Sequence, residues 1–281
     1  MIIVKVWGGI GNQLFQYVFG QYLHYRYKQE VSFDDSSYLT TDKLRNSELS
    51  ALDGNIVFNN KCSFSRYKGI KNRILRFLFQ LDPKHHFVAE SCNHLPENFE
   101  LSHTYFFQGY WQDVKYYQWL KDNVPGFSLN IKHMPEELVS FKAKILSARD
   151  SISLHVRRGD YFAPQNVGIY GVCDVSYYER AIDLMSQSLN SPVIFVFSDD
   201  IDWVQDHLHT KGSFTIVPNY DVAQFTYIEL MSLCKHHIIS NSSFSWWGAV
   251  INEDKDCVVL CPSRWRKDTS ESPALNNWLK I

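Results

Sequence analysis

The N-terminal part of the chain alternates between apolar runs and a segment with helical periodicity. Residues 2–7 (IIVKVW) predict a strand, and a glycine turn follows it. Apolar residues recur at helical spacing through 12–28, so this stretch predicts a helix, with Asn12 placed to cap its first turn. Residues 31–33 predict a second strand, which ends at Asp34. The chain therefore begins with a β-α-β arrangement.

The second half of the chain shows the same alternation more regularly. The run PVIFVF within 192–200 is continuously apolar, as expected of a strand covered on both faces. Strands that alternate with helices imply a mainly parallel sheet with right-handed crossovers. Because the pattern becomes regular near residue 148, two domains are predicted, 1–148 and 149–281. The other predicted strands are 151–156, 214–219, 237–243 and 257–263, and helices are predicted to begin near Ile201, Ala223 and Phe244.

The region between these halves is harder to interpret. Residues 36–105 are polar, aromatic and irregular. Within them, 70–79 (IKNRILRFLF) predicts a basic amphipathic helix that either lies on a membrane surface or has one solvated face. Residues 105–120 predict a strand, a turn and the start of a helix, and 134–146 predict a helix with proline in its first turn.

Composition narrows the class of protein. A chain of 281 residues that is 45% hydrophobic supports one large globular domain or two. The formal net charge of −2 gives no reason to expect a nucleic-acid partner. The sequence shows neither a signal peptide nor an apolar run approaching the roughly 20 residues of a membrane span. A cytoplasmic protein with reduced cysteines is expected, and peripheral contact with the inner face of a membrane through 70–79 stays open.

Three predicted strands of the second half end in polar clusters. These clusters are RRGD (157–160), SDD (198–200) and SNSS (240–243). In open α/β sheets, ligands bind beyond the carboxyl ends of the strands. Because all three clusters should lie at the same edge of one sheet, they predict a single binding site.

The two adjacent arginines are the strongest chemical signal. Arg157 and Arg158 follow a buried strand, and guanidinium groups near a core need anionic partners. A guanidinium presents a rigid fork of donors that suits phosphate. Adjacent strand residues point to opposite faces, so Arg157 is assigned to a phosphate and Arg158 to an acidic neighbour. The alternative is a structural ion pair for both arginines.

The other two clusters each have a structural and a functional interpretation. Ser198 or Asp199 either caps the next helix or, for the aspartate, accepts hydrogen bonds from a nucleobase. The hydroxyls and amides of SNSS can bind an anion at a helix start. The Asp-x-Asp pattern of metal-dependent sugar transferases occurs at 200–202 and 254–256, but it is too short to be specific. No metal site is predicted.

The glycine turn GGIGNQ is a second anion-binding feature, because it connects a strand to a helix. Gly9 and Gly11 fit the dinucleotide-binding fingerprint, whereas its third glycine position holds Leu14. Asp34, at the end of the next strand, would suit a ribose. A nicotinamide-dependent oxidoreductase is therefore one hypothesis for the function.

Five segments of the chain match the motifs of one known family. They are GGIGNQLFQY (8–17), HVRRGDY (155–161), SYYERAI (176–182), FSDDIDW (197–203) and SNSSFSWWGA (240–249). Together they resemble glycosyltransferase family 11, the α-1,2-fucosyltransferases. The resemblance implies an α/β, GT-B-like fold, in which two Rossmann-like domains, one for the acceptor and one for the donor, face each other across a cleft. It also implies GDP-β-L-fucose as donor, a galactose-containing acceptor glycan, inversion at the sugar, and no essential metal or other cofactor.

The resemblance also implies roles for individual residues. Arg157 would hold the β-phosphate, where it would stabilise the departing GDP in place of a cation. The general base stays open, because Asp160, the nearest carboxylate, could instead orient Arg157 or Arg158. The other implied contacts are His155 and either Asp199 or Asp200 on guanine, Gly9, Gly11 and Asn12 on the pyrophosphate, and Ser242, Ser243 and Phe244 along the phosphate and sugar.

Three hypotheses for the function follow from the sequence. The first is a galactoside 2-α-L-fucosyltransferase, which the five segments together favour. The second is the nicotinamide-dependent oxidoreductase that the glycine turn would serve. The third is a protein that binds a nucleotide or a carbohydrate without catalysis.

Overall fold

The computed structural model describes residues 1–40, 42, 45–59, 82–92, 95–162, 171–208, 213–267 and 273–281. The amphipathic helix predicted at 70–79 lies outside these residues. The chain divides into two compact units, Met1–Asn130 and Ile131–Ile281. The sequence pattern puts the domain boundary near residue 148, whereas the division into units assigns the helix Glu136–Ser147 to the second unit.

In the described part of the first unit, four parallel strands form a sheet in the order β2-β1-β4-β3. The chain leaves β1 for β2 on one side and later returns to pair β4 on the other side of β1. The topological switch point of this sheet therefore lies between β1 and β4. The strands are β1 (Ile2–Lys5), β2 (Val31–Asp34), β3 (His85–Ala89) and β4 (Thr104–Gln108), and the helices are α1 (Ile10–Tyr27), α2 (Ser37–Thr40) and α3 (Val114–Asn123), with 3₁₀ turns at Leu49–Ala51 and Glu90–Cys92.

The second unit contains a parallel sheet whose described strands have the order β7-β6-β5-β8-β9-β10. Counted from β5, this is the 3-2-1-4-5-6 order of the Rossmann fold, and its switch point lies between β5 and β8. The strands are β5 (Ser151–Val156), β6 (Val193–Ser198), β7 (Ser213–Ile216), β8 (His236–Ile238), β9 (Val259–Cys261) and β10 (Leu279–Lys280), and the helices are α4 (Glu136–Ser147), α5 (Val175–Ser188), α6 (Ile201–His207), α7 (Phe225–Ser232) and α8 (Ser243–Ile251), with a 3₁₀ turn at Gly159–Phe162.

The central strand β5 is buried on both faces, although its sequence SISLHV alternates polar and apolar residues. Its apolar face belongs to the core cluster that also contains Tyr177 and Tyr178 of α5. Its polar face is satisfied by hydrogen bonds to the segment that contains β8. Ser151 Oγ accepts the Lys235 N–H (3.1 Å), Ser153 Oγ pairs with His237 Nδ1 (2.7 Å), and His155 Nδ1 pairs with Ser240 Oγ (2.9 Å). Burial therefore does not leave this polar face unpaired.

Most of the predicted elements are confirmed, with bounds that differ by a few residues at several ends. The predicted cap at Asn12 is wrong, since Gly9 holds the N-cap of α1 and Asn12 lies inside its first turn. Pro135 is the N-cap of α4 rather than a first-turn residue. Strands β3 and β10 and helices α2 and α5 have no counterpart among the predictions. The strand β3 is an edge strand, and its half-exposed side chains give no apolar alternation to detect.

The buried His237 predicts a pH-dependent stability. Its Nε2 accepts a hydrogen bond from Asn252 Nδ2 (2.9 Å), and burial, with a smaller effect of His236, lowers its pKa to about 3. The unfolded chain therefore binds a proton below its pKa of 6.5 that the folded chain does not bind. The free energy of unfolding therefore has its full value above pH 6.5 and decreases as the pH falls towards 3. Between pH 6.5 and pH 5 the decrease is about 2 kcal/mol.

Urea unfolding at pH 7 and pH 5 measures this dependence, with a His237→Gln variant for comparison. We expect the free energy of unfolding of the variant to fall less between the two pH values. An equal fall in both proteins would contradict a neutral, buried His237.

Candidate functional site at the switch point of the second unit

The three polar clusters predicted from the sequence meet beyond the carboxyl ends of β5, β6 and β8. Arg157 Nη1 lies 2.9 Å from Asp199 Oδ2, which joins the cluster after β5 to the cluster after β6. The pair of His155 and Ser240 joins β5 to the segment after β8. This edge contains the switch point, where ligands of open α/β sheets bind. The convergence of the clusters is therefore confirmed.

The Arg157 guanidinium is held by a carboxylate that approaches closely because residue 159 is glycine. Asp199 Oδ1 accepts the Arg158 N–H (2.9 Å), while Oδ2 faces Arg157. A Cβ at Gly159 would lie only 2.5 Å from Asp199 Oδ2 and 3.2 Å from its Cγ. Arg157 also lies over the Tyr161 ring, 5.5 Å from its centroid. These contacts fix the orientation of the guanidinium at the rim of the sheet.

Arg158 pairs with an acidic neighbour, as the sequence predicts. Its Nε donates to Asp200 Oδ2 (3.1 Å), and its guanidinium carbon lies 3.9 Å from the Trp203 ring centroid and 4.7 Å from that of Phe162. Asp200 Oδ1 accepts the Trp203 N–H, so Asp200, rather than Ser198 or Asp199, is the N-cap of α6. Arg158 is therefore enclosed between a carboxylate and two aromatic rings.

His155 is a buried, neutral imidazole at this edge. It is 4% exposed, and its ring centroid lies 5.2 Å from that of Phe244. Burial, and to a smaller extent the Arg157 charge, lowers the pKa of His155 to about 3. At neutral pH the group therefore offers one donor and one acceptor nitrogen and carries no charge.

The SNSS cluster is organised by its own hydrogen bonds. Ser242 is the N-cap of α8, where its Oγ accepts the Phe244 N–H (3.3 Å). Asn241 Nδ2 donates to the carbonyl groups of Gly171 (2.6 Å) and Trp265 (3.0 Å), and Tyr161 Oη donates to the Asn241 carbonyl (2.8 Å). Ser243 begins α8, and the helix start therefore presents backbone amides at the switch point.

Trp246 and Trp247, which follow this cluster in α8, are both buried in the core. Neither ring is exposed enough to form a stacking surface for a ligand.

The glycine turn of the first unit is shaped by two buried glutamines. Gly8 has φ 85°, a left-handed conformation that favours glycine. Gln13 Nε2 donates to the Gly8 carbonyl (3.1 Å), and its Oε1 accepts the Glu48 N–H (2.9 Å). Gln16 Oε1 accepts the Trp7 N–H (3.1 Å). The glutamines of GGIGNQLFQ therefore hold the turn, a role that their polarity within an apolar helix face signals in the sequence.

The remaining predicted residues are placed as follows. Gly9 is the N-cap of α1, Gly11 is buried, and Asn12 Oδ1 accepts a hydrogen bond from Gln112 Nε2 (2.7 Å). Asp160 lies in the 3₁₀ turn, and its side chain is outside the described part of the structure. Among the described residues, no three or more His, Cys, Asp or Glu side chains are grouped so that they could hold a metal ion.

The sequence reasoning did not predict roles for Ser240, Tyr161 and Trp203. Each completes a contact of a predicted residue: Ser240 pairs with His155, Tyr161 lies beside Arg157, and Trp203 stacks on Arg158. All three lie inside the quoted motifs, so the motifs contained the signal. Only the folded chain shows which member of a motif contacts which.

Comparisons with known proteins agree with this geometry. The profile of "Glycosyl transferase family 11" matches residues 1–281. The chain is 30% identical to the O-antigen biosynthesis glycosyltransferase WbnK of Escherichia coli, over 98% of both chains. It is 28% identical to an α-1,2-colitosyltransferase of Escherichia coli, over 100% of this chain and 99% of the other. It is also 27% identical to galactoside α-(1,2)-fucosyltransferase 2 of Rattus norvegicus, over 58% of this chain and 47% of the other.

Two solved structures share the fold. Fucosyltransferase NodZ from Bradyrhizobium has a TM-score of 0.55 and 11% identity, over 89% of this chain and 92% of the other. Arabidopsis thaliana FUT1 has a TM-score of 0.51 and 10% identity, over 92% of this chain and 70% of the other. These similarities confirm the predicted α/β, GT-B-like fold class.

Fold, site and comparisons together define a glycosyltransferase, an enzyme that transfers a sugar. The chain belongs to glycosyl transferase family 11, whose α-1,2 relatives act with fucosyl or colitosyl groups. This assignment to a family of glycosyltransferases replaces the hypotheses of a nicotinamide-dependent oxidoreductase and of a non-catalytic binding protein. The helices in the described part of the chain all lack the length and apolar character needed to cross a bilayer.

The buried bond between His155 and Ser240 gives a testable contribution to stability. A Ser240→Ala variant removes the partner of His155 Nδ1 inside the sheet, so we expect a loss of about 1–3 kcal/mol. Urea unfolding measures this loss. The exposed Ser263→Ala variant is the control, with a change within about 0.5 kcal/mol. Equal effects of the two substitutions would show that the bond contributes nothing.

Proposed function

We propose that the protein transfers L-fucose from GDP-β-L-fucose to the 2-hydroxyl of a galactoside, with inversion at the sugar carbon. The observation that carries this proposal is the fixed Arg157 guanidinium at the β5–β8 switch point of a family 11 enzyme. A NodZ α-1,6-fucosyltransferase of the same fold was studied with GDP-fucose and with GDP, which supports this class of donor.

The proposed donor site is the edge described above. A guanidinium has five N–H donors in a fixed fork, so Arg157 can hold Asp199 and a phosphate oxygen together. Asp199 then acts as a positioning residue, because its carboxylate fixes the plane in which the fork presents its donors. The amides at the start of α8, with Ser242, Ser243 and Phe244, complete the contact with the phosphate and the sugar.

The base of the nucleotide is assigned to the neighbouring side chains. The neutral His155 is proposed to contact guanine, and its low pKa keeps it uncharged beside Arg157. Asp199 or Asp200 is the proposed acceptor for the guanine N–H groups. Both carboxylates already hold arginine or backbone donors, and a carboxylate has about four lone-pair sites, which leaves capacity for such a contact. In the first unit, Gly9, Gly11 and Asn12 keep their proposed role as contacts of a diphosphate.

The reaction breaks the bond between the sugar C1 and a β-phosphate oxygen, and forms a bond from C1 to the acceptor oxygen. Negative charge develops on the departing GDP, and Arg157 with the α8 amides would stabilise it without reorganising. The attack comes from the opposite face of the sugar, so the configuration inverts. The acceptor hydroxyl loses its proton to a base, for which Asp160 remains the proposed candidate.

One comparison favours a second donor. The chain is as similar to the α-1,2-colitosyltransferase, over its full length, as to fucosyltransferases over half of theirs. An activated colitose is therefore the alternative donor, with the same linkage to the acceptor. The similarity to WbnK, which is named for O-antigen biosynthesis, supports an O-antigen glycan as acceptor. We further propose a cytoplasmic reaction close to the inner face of the membrane.

The role of Arg157 can be tested directly. We expect Arg157→Ala to lower the transfer rate about 100- to 1,000-fold, because it removes a preorganised donor at the leaving group, and to weaken GDP binding. Arg157→Lys keeps the positive charge but lacks the fork of donors. Its transfer rate and GDP affinity should therefore lie between those of the wild type and those of Arg157→Ala. GDP release from GDP-fucose with galactosides measures transfer, and calorimetry measures GDP affinity.

The control for this experiment is Arg149→Ala. Arg149 is an exposed arginine that lies just before the first residue of β5, at the end of the strand opposite Arg157. Its loss should therefore leave the transfer rate and the GDP affinity unchanged. Unaltered GDP affinity in Arg157→Ala would disprove the assignment.

A second expectation concerns metal ions. Because Arg157 and backbone amides are proposed to replace a cation at the leaving group, the transfer rate should be the same in excess EDTA and in buffer with added Mg²⁺ or Mn²⁺. Initial rates under both conditions measure this. A rate that depends on either metal would favour the Asp-x-Asp interpretation instead.

A further inference from the structure

Two aromatic side chains meet at the switch point of the first unit. Trp7 follows the end of β1, and Tyr110 follows the end of β4. These strands are paired neighbours, and the ring centroids lie 5.0 Å apart with planes inclined by 35°. A ligand of an α/β unit binds at this kind of position. We call the two rings the Trp7–Tyr110 shelf.

The backbone that carries Tyr110 is fixed, although the side chain itself is 37% exposed. Glu90 Oε2 accepts the Tyr110 N–H (2.6 Å). Gly109 permits this approach, because a Cβ at that position would overlap the Cβ of Glu90. Trp111 is buried and stacks on Phe19, with ring centroids 4.0 Å apart and an interplanar angle of 7°. The exposed ring is therefore presented by a rigid segment.

Holding this segment has an energetic cost. Trp111 has φ 56°, a left-handed conformation that is unfavourable for a bulky residue. Its buried indole N–H has no hydrogen-bond partner among the described residues. Such costs persist where the fold must present a group in one orientation, and they concentrate at functional sites. The presented group here is Tyr110.

Neutral polar groups lie beside the shelf. Gln112 Nε2 donates to Asn12 Oδ1 (2.7 Å), and the Asn12 amide lies 3.0 Å from where a Cβ of Gly8 would be. A pair of primary amides offers both donors and acceptors, which matches a hydroxyl, since a hydroxyl is both as well. Lys5 Nζ lies 4.9 Å from the Trp7 ring centroid and helps to hold that ring. Aromatic surface next to a few oriented polar groups is typical of a small-molecule site.

We propose that the Trp7–Tyr110 shelf binds the galactoside acceptor. A pyranose ring has a face of C–H groups that packs on aromatic rings, and hydroxyls at its rim that the Gln112 amide can bond. Asn12 Oδ1 accepts from Gln112 and so positions that amide, while Asn12 Nδ2 keeps its proposed contact with the diphosphate. Two guanidinium–carboxylate pairs that suit a nucleoside diphosphate lie at the switch point of the second unit, and a third, Arg45 with Asp42 (3.6 Å), lies at the glycine turn of the first unit. This inference rests on the proposed function, because that function supplies the chemical class of the acceptor.

The test is direct saccharide binding to the full chain, with no donor sugar present. Lactose, N-acetyllactosamine and methyl β-galactoside are the probes, and ligand-observed NMR in the presence of GDP measures their affinities. We expect the wild type to bind at least one of them, and Trp7→Ala and Tyr110→Ala each to weaken that binding about tenfold, equivalent to about 1.4 kcal/mol. Tyr110→Phe keeps the ring and should keep most of the affinity.

Two controls separate binding from folding. Tyr25 is 44% exposed, on the last turns of α1 and away from the glycine turn, so Tyr25→Ala should bind the probes as the wild type does. Unchanged GDP affinity and thermal unfolding would show that each variant is folded. If Trp7→Ala does not fold, the comparison of Tyr110→Ala with Tyr110→Phe carries the test.

The outcomes distinguish this inference from the proposed function. Full probe affinity in Tyr110→Ala, or no binding of any probe by the wild type, would overturn the shelf as the acceptor site. Probe binding that depends on the shelf, without GDP release from GDP-fucose, would support the inference and refute the fucosyl donor.

Discussion

The fold of the second unit depends on the polar face of one buried strand. Ser151, Ser153 and His155 would each cost free energy inside the sheet, and each is bonded to a group in the segment that runs from Lys235 to Ser240. Because a slip of one residue would bring apolar side chains opposite these partners, the bonds also fix the register of β5 against β8. The pairing that stabilises the sheet is thus the pairing that creates its switch point.

The chemistry of the site follows from this fixed edge. With β5 and β6 held in register, Arg157 and Asp199 lie opposite each other, and Gly159 leaves room for the carboxylate. Asp199 spans Arg157 and the Arg158 amide, while Asp200 holds Arg158 and begins α6. Four charged groups are therefore paired in the free protein. A phosphate can then meet a guanidinium whose orientation is already set, which lowers the entropic cost of binding.

The first unit shows the same principle with different residues. Buried Gln13 and Gln16 hold the glycine turn through hydrogen bonds. Trp111, whose backbone is in the left-handed conformation, stacks on Phe19 and holds the segment that carries Tyr110. In both units a rigid interior ends at the switch point of the sheet, where side chains that can contact a ligand are exposed. The residues differ in kind, since arginine pairs suit an anion and aromatic rings with amides suit a neutral sugar. The side chains that follow the strands at the two switch points therefore parallel the two substrates of the proposed transfer.

The sequence by itself determined the class of fold, the family and the three clusters, because apolar periodicity and dense motifs are local properties of the chain. It also identified Arg157 and Arg158 as a pair in need of anions. The tertiary structure alone decided which carboxylate meets which arginine, that His155 is neutral and bonded to Ser240, and that Gly9 rather than Asn12 caps α1. It alone brought Trp7 to Tyr110 across more than a hundred residues. These pairings depend on strand order and register, which join segments far apart in the chain, and no local pattern encodes them.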